Sequence, residues 1–206
     1  SPLSLVVLMF AAAISAVAQE SKPASPESPT SAPASIEVAV PAYQNTHCPV
    51  MGRPASSKLF VDTTFGRIYV CCAPCNKKIR ADTEATYKAA YPKTTKVGNT
   101  ICPVSGKKIE AGSPVITLQG REINVCSDAC VKKALDNAQV VLVKVLNPKA
   151  KIVGNKTCPV TGAAVEPNFI VMIGDDVVHL SSQKCIEEVQ KSPQEVLAKA
   201  KALAAK

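Results

Sequence analysis

One five-residue phrase occurs three times in this chain and limits the fold more than any other feature. It stands as Cys48-Pro49-Val50-Met51-Gly52, as Cys102-Pro103-Val104-Ser105-Gly106 and as Cys158-Pro159-Val160-Thr161-Gly162, at separations of 54 and 56 residues. A repeat of that period points to a tandem array of one small unit. A unit of roughly 50 residues buries little apolar surface and commonly relies on a metal or on disulfides. Aromatic packing offers little help, since the chain has no Trp, and no Phe or Tyr lies between Thr100 and Asn147. The nine cysteines are the natural means of holding such units together.

Each phrase leads into the same succession of patterns. In the first copy, apolar and polar positions alternate on both sides of Phe65-Gly66-Arg67, which predicts a β-hairpin turning at Gly66. A helical pattern with Ile79, Ala85 and Tyr87 on one face follows, from about Pro74 to Tyr91. The second copy turns at Gly120 and opens its helix at Ser127 or Asp128. The third turns at Gly174-Asp175 and is helical to its end except for a break at Pro193. Asn45, Asn99 and Asn155 each precede the first Cys by three residues, and Gly98 and Gly154 are turn residues in the connectors. The expected fold class is α+β: three tandem small modules, each a Cys-Pro knuckle turn, a β-hairpin and a helix.

The part before the repeats has a different character. Leu3 to Ala18 is apolar and ends in Ala16-Val17-Ala18, the form of a signal-peptide apolar stretch with its cleavage site. It is too short to span a bilayer comfortably, so no stable membrane span is expected in the mature chain. Pro, Ser and Ala dominate the next stretch, which reads as a disordered linker. The resulting plan is 1–18 signal peptide, 19–40 linker, 41–95 first repeat, 96–150 second repeat and 151–206 a degenerate third repeat. Periplasmic or secreted location is the corresponding expectation. Net charge is +8, but the Lys residues are spread over helical segments and form no basic stripe, so a nucleic-acid partner is not expected.

The spacing of the cysteines points to metal. Cys48, Cys71 and Cys75 in the first copy correspond to Cys102, Cys126 and Cys130 in the second. Within each set a C-x3-C pair lies at the end of the second strand and the start of the helix, where residues i and i+4 share a face. A helix N-terminus favours thiolate, the metal-binding form. In the third copy Cys158 and Cys185 hold the outer positions and Ser181 takes the middle one. Three converging thiolates select a soft transition-metal ion, Cu(I) or Zn(II). Because three sulfurs do not close a tetrahedral zinc site, Cu(I) is preferred. Candidate additional ligands are Cys72, His47 and Met51 in the first copy and Cys158, Cys185 and His179 in the third; His47, Met51 and His179 each also fit an ordinary structural role.

On these residues the chain resembles the TRASH and YHS group of small cysteine-rich metal-binding modules. Cys48, Cys71 and Cys75, and likewise Cys102, Cys126 and Cys130, match that group's three cysteine positions; Cys158 and Cys185 match the outer two. The "YVCCAPC" stretch and Pro193 followed by Leu197 are similar to it as well. The resemblance covers about 160 residues, and it implies a treble-clef-like fold and heavy-metal binding for sequestration or handover, with a metal transporter or another periplasmic protein as partner. Ser181 departs from the pattern.

Two other classes stay open at this point. Export favours disulfides, and a Cys158–Cys185 staple with equivalents Cys48–Cys75 and Cys102–Cys130 would make a structural or interaction protein. An exported thiol oxidoreductase would use the adjacent Cys71-Cys72. No Ser-His-Asp set or Gly-rich phosphate loop is present, and C-x3-C is not the C-x2-C of thioredoxin-like enzymes, so no enzyme is expected.

Overall fold

The computed structural model describes residues 38–39 and 43–205; the expected signal peptide and nearly all of the linker lie outside them. The described chain is mixed α+β, and one order of elements runs through it three times. The first set has strands β2 (Phe60–Thr63) and β3 (Gly66–Tyr69) with helices α1 (Cys75–Ala81) and α2 (Thr83–Ala90). It is preceded by a short strand β1 (Val38–Ala39). The second set has β4 (Thr95–Lys96), β5 (Val115–Leu118), β6 (Arg121–Asn124), α3 (Asp128–Asp136) and α4 (Ala138–Leu146). The third has β7 (Lys151–Ile152), β8 (Ile170–Ile173), β9 (Asp176–His179), α5 (Cys185–Lys191) and α6 (Pro193–Ala204). No helix among the described residues is long and apolar enough to cross a membrane.

The three hairpins share one register. Val61 faces Ile68, Ile116 faces Ile123 and Val171 faces Val178, and all six side chains are buried. Alternation therefore places one face of each hairpin on its own helices and core. The hairpins end two residues before Cys71, Cys126 and Ser181, so strand geometry delivers those side chains to one place in each repeat.

In the first two copies the expected single helix is two short helices, broken at Asp82 and Asn137, and the third copy breaks at Ser192, next to the expected Pro193. At Asp82 and Asn137 the side chains hydrogen-bond to the local backbone. Asp82 accepts from the Ala85 N–H at 3.1 Å and so caps α2. The Asn137 amide donates back to the Lys133 carbonyl at 3.0 Å. After Ser192, Pro193 starts α6, where its missing N–H costs nothing.

Short lead-in strands, absent from the expectation, complete two of the sheets. β4 pairs in parallel with β6, and β7 with β9. Val97 and Val153 then donate to the Glu122 and Val177 carbonyls, both at 3.0 Å. At the matching Arg67 carbonyl the donor is the Tyr91 hydroxyl, 2.7 Å away. β1 lies instead on the third sheet, antiparallel to β8, which gives the strand order β1-β8-β9-β7.

The repeats are joined by a buried polar network. Gln119 Oε1 accepts from the Arg67 N–H at 3.2 Å and from the Gln139 amide, and Gln119 Nε2 donates to the Tyr43 carbonyl at 2.7 Å. Arg67 Nη2 donates to the Asn168 carbonyl at 2.7 Å, and Asn168 Oδ1 accepts from the Gln139 N–H at 3.2 Å. The Arg67 charge is matched by Asp62 at 2.9 Å and lies 3.6 Å over the Phe60 ring. A further apolar cluster, Val143 with Ile170 and Val177, binds the second repeat to the third.

Candidate metal centre

The three Cys-Pro phrases form one kind of turn. Cys48 N–H donates to the Arg53 carbonyl at 2.7 Å, and Gly52 N–H returns to the Cys48 carbonyl at 2.8 Å. The second and third copies repeat this with Cys102, Lys107 and Gly106, and with Cys158, Ala163 and Gly162, at 2.7 and 2.9 Å in each. Closing the loop needs a left-handed residue in last place, where Gly52, Gly106 and Gly162 have φ of 66°, 72° and 75°. The phrase is thus a backbone requirement, and it leaves N–H groups directed at the cysteine sulfur.

A second device fixes the strand against the turn. Asn45 Nδ2 donates to the His47 carbonyl at 2.7 Å and to the Tyr69 carbonyl at 2.8 Å, while Oδ1 accepts from the Tyr69 N–H at 2.8 Å. Asn99 makes the same three bonds to Ile101 and Asn124, and Asn155 to Thr157 and His179. Each clamp joins the residue before the knuckle cysteine to the residue two before the middle position. The spacing of these asparagines was visible in the sequence; their task was not.

The result is two sets of three converging thiols. The Sγ atoms of Cys48, Cys71 and Cys75 all lie within 4.8 Å of one another, as do those of Cys102, Cys126 and Cys130. Cys48 and Cys75 are 3.7 Å apart, and Cys126 and Cys130 are 3.6 Å apart. Ions with metal–sulfur bonds of about 2.3 Å hold tetrahedrally arranged sulfurs about 3.8 Å apart. The separations fit chelation of one ion per set, and all nine cysteines stand as free thiols.

The candidate extra ligands separate clearly. Cys72 packs on the first triad, 3.8 Å from Cys71 and 3.4 Å from Cys75. His47 is exposed and pairs with the Thr46 hydroxyl at 3.0 Å, outside the triad, and Met51 is 49% exposed. In the second copy Ser127 stands where Cys72 does, and Ser105 lies 3.1 Å from Cys126. In the third, Cys158 and Cys185 are 3.8 Å apart. His179 does not join them in any three-ligand group within 4.8 Å; it lines a cleft of about 290 Å³ with Pro103, Val104 and Ile152.

Negative charge settles on the knuckle cysteine. Burial pushes the Cys48 thiol up, but the N–H groups of Cys71, Val50 and Met51 outweigh it and bring it down to about 7. Burial likewise opposes, and Ser105 with the N–H groups of Cys126, Ser105 and Val104 overcomes, the rise at Cys102, which falls to about 6. The Thr161 and Ser181 groups do the same against burial for Cys158, also to about 6. On the helical side, burial and the neighbouring thiols push Cys75 up to about 12. At Cys130 the Ser127 hydroxyl pulls the thiol down, but burial and its two triad partners prevail and raise it. The direction at Cys75 and Cys130 is opposite to the lowering expected of a helix start, because burial and then the neighbouring thiols outweigh it.

No protein-family model matches the chain, and the comparisons with curated proteins and with solved structures found no match either.

Proposed function

We propose that this is an exported metal-binding protein that holds soft ions by cysteine thiolates for sequestration or handover. The observation that carries the reading is the pair of triads, each with three Sγ atoms mutually within 4.8 Å. Soft sulfur ligands select Cu(I) or Zn(II), and a three-sulfur set with only hydroxyls beside it, as at Cys102, Cys126 and Cys130, favours Cu(I). The resemblance to TRASH and YHS modules supports the same assignment, with three treble-clef-like units in tandem. Export rests on the apolar stretch ending at Ala18. A transporter or another periplasmic protein is the partner that handover requires. Catalysis is not part of the proposal.

The test is metal content per chain by elemental mass spectrometry, with free thiols counted in the same anaerobic sample. One soft ion is expected in each triad, one lost with Cys71→Ser and the other with Cys126→Ser. Absence of metal, with the thiols already oxidised in pairs and no uptake after reduction, overturns the reading in favour of a disulfide-stapled repeat protein.

A further inference from the structure

Going through the three repeats in order, the thiols form a declining series. The middle and following positions are Cys71-Cys72, then Cys126-Ser127, then Ser181-Ser182, while the two outer cysteines never change. The third repeat therefore keeps two thiols in a setting built like the other two. Its knuckle closes with the same hydrogen bonds, and Asn155 holds the strand to it. Cys158 and Cys185 are 1% and 2% exposed, with sulfurs 3.8 Å apart, close to the 3.7 Å of Cys48 and Cys75. The vacated places are polar: Ser181 Oγ and Ser182 Oγ lie 3.6 and 3.5 Å from Cys185 Sγ, and Thr161 pairs with Ser181 at 2.9 Å.

From this we infer that Cys158 and Cys185 form a third metal site, for soft monovalent ions that accept two ligands, and that it excludes Zn(II). The inference rests on the soft-metal reading of the two triads. Zn(II) takes four ligands in closed sites and finds only two sulfurs and hard hydroxyls here. Cu(I) and Ag(I) bind thiolate strongly and are satisfied by two of them, in a near-linear arrangement that the two sulfurs reach by moving apart from 3.8 Å. Two metal–sulfur bonds form, and any thiol protons pass to solvent. The hydroxyls donate hydrogen bonds to the sulfurs and take no part in coordination. A protein so arranged holds more Cu(I) than Zn(II), and its three sites discriminate between ions by the number of sulfurs alone.

The experiment titrates the reduced protein anaerobically with Ag(I) alone and, separately, with Zn(II) alone, and reads stoichiometry by native mass spectrometry. The Cys158→Ser/Cys185→Ser variant is expected to take one Ag(I) fewer than the parent and an unchanged amount of Zn(II). Cys185→Ser alone leaves one sulfur and is likewise expected to take one Ag(I) fewer; this measurement decides the matter if the double variant does not fold. Equal Ag(I) capacity in the parent and a folded variant overturns the third site, and a Zn(II) count that falls with these cysteines overturns its selectivity; either leaves the two triads standing. No Ag(I) on the reduced parent overturns the function proposed above as well.

Discussion

Asn45 holds Tyr69 by both of its backbone groups, with N–H to Oδ1 and Nδ2 to carbonyl distances of 2.8 Å each. Because Tyr69 is two residues before Cys71, this pairing sets where the middle thiol meets the knuckle. Asn45→Ala strands a buried N–H and a buried carbonyl, which costs about 1–3 kcal/mol. It also frees the strand that carries Cys71, and loss of such a support typically lowers metal affinity about 10–100-fold. The expected outcome is a lower Tm with weaker binding at the first triad and unchanged binding at the second. Asn155→Ala is the control, with a similar loss of Tm and both triads unaffected. Thermal melts and competition titrations on the two variants check this, and equal affinities across parent and variants would exclude a positioning role.

Binding at the first triad is expected to weaken as pH falls, in a defined way. Metal requires three thiolates and displaces whatever protons the thiols still hold. Near pH 8, Cys48, at about 7, is already largely ionised, whereas Cys75, at about 12, and Cys71, raised first by burial and then by its neighbours, keep theirs. About two protons are then released, so affinity changes by about 100-fold per pH unit. Below about 7 the Cys48 proton adds to the count and the dependence steepens. Titrations against a chromophoric competitor from pH 6 to 9 give the slope directly; a flat profile would contradict the protonation pattern.

His179 gives the metal-free protein a separate pH dependence. Burial lowers its pKa from the ordinary 6.5, and its Nδ1 is buried without a hydrogen-bond partner. The folded state therefore binds the proton less readily than the unfolded state. Stability is full above about 6.5 and declines as pH falls from there toward the lowered folded value, below which this contribution to the slope ends. His179→Gln is expected to flatten the Tm profile between pH 5 and 7 relative to the parent. The same slope in both proteins would assign the decline to another group.

The hairpins and knuckles were legible because their signals are local: alternation at period two, a Cys-Pro turn, and Gly52, Gly106 and Gly162 in fixed places. The cysteine triads were legible for the same reason, since a spacing of C-x3-C after a hairpin leaves the chain few ways to keep the sulfurs apart. What escaped was set by partners distant in sequence or by hydrogen bonds too small to leave a pattern. β4 and β7 are two residues long and acquire their strand character only by pairing with β6 and β9. β1 pairs with β8, more than a hundred residues away, and no periodicity announces that. Asp82 was available as a helix-breaking cap, with Glu84 after it, but the strong helix formers on either side masked it. That N–H groups of a Cys-Pro turn favour negative charge on Cys48 is a local property of the turn, whereas the rise at Cys75 depends on burial and on thiols brought close by the fold, which composition does not encode.

Two glycines distinguish backbone strain from crowding. Gly106, at φ 72°, has open space where a Cβ would stand, so Gly106→Ala meets only the left-handed penalty of about 1–2 kcal/mol. Gly120, at φ 74°, would place a Cβ 3.1 Å from the Lys93 carbonyl and 3.4 Å from the Tyr91 ring. Gly120→Ala therefore carries the same penalty and must also displace the connector that begins β4. The expected order of Tm is parent, then Gly106→Ala, then Gly120→Ala. The two variants should differ in a second respect as well. Gly106 closes the knuckle that carries Cys102, so left-handed strain from its replacement distorts the turn and weakens metal binding at the second triad. Gly120 lies at the far end of the hairpin from Cys126, and its replacement lowers stability with little change in affinity while the protein is folded. Melting curves and Ag(I) titrations on both variants separate the two effects. Equal loss of affinity would mean that the knuckle has no special part in shaping the site.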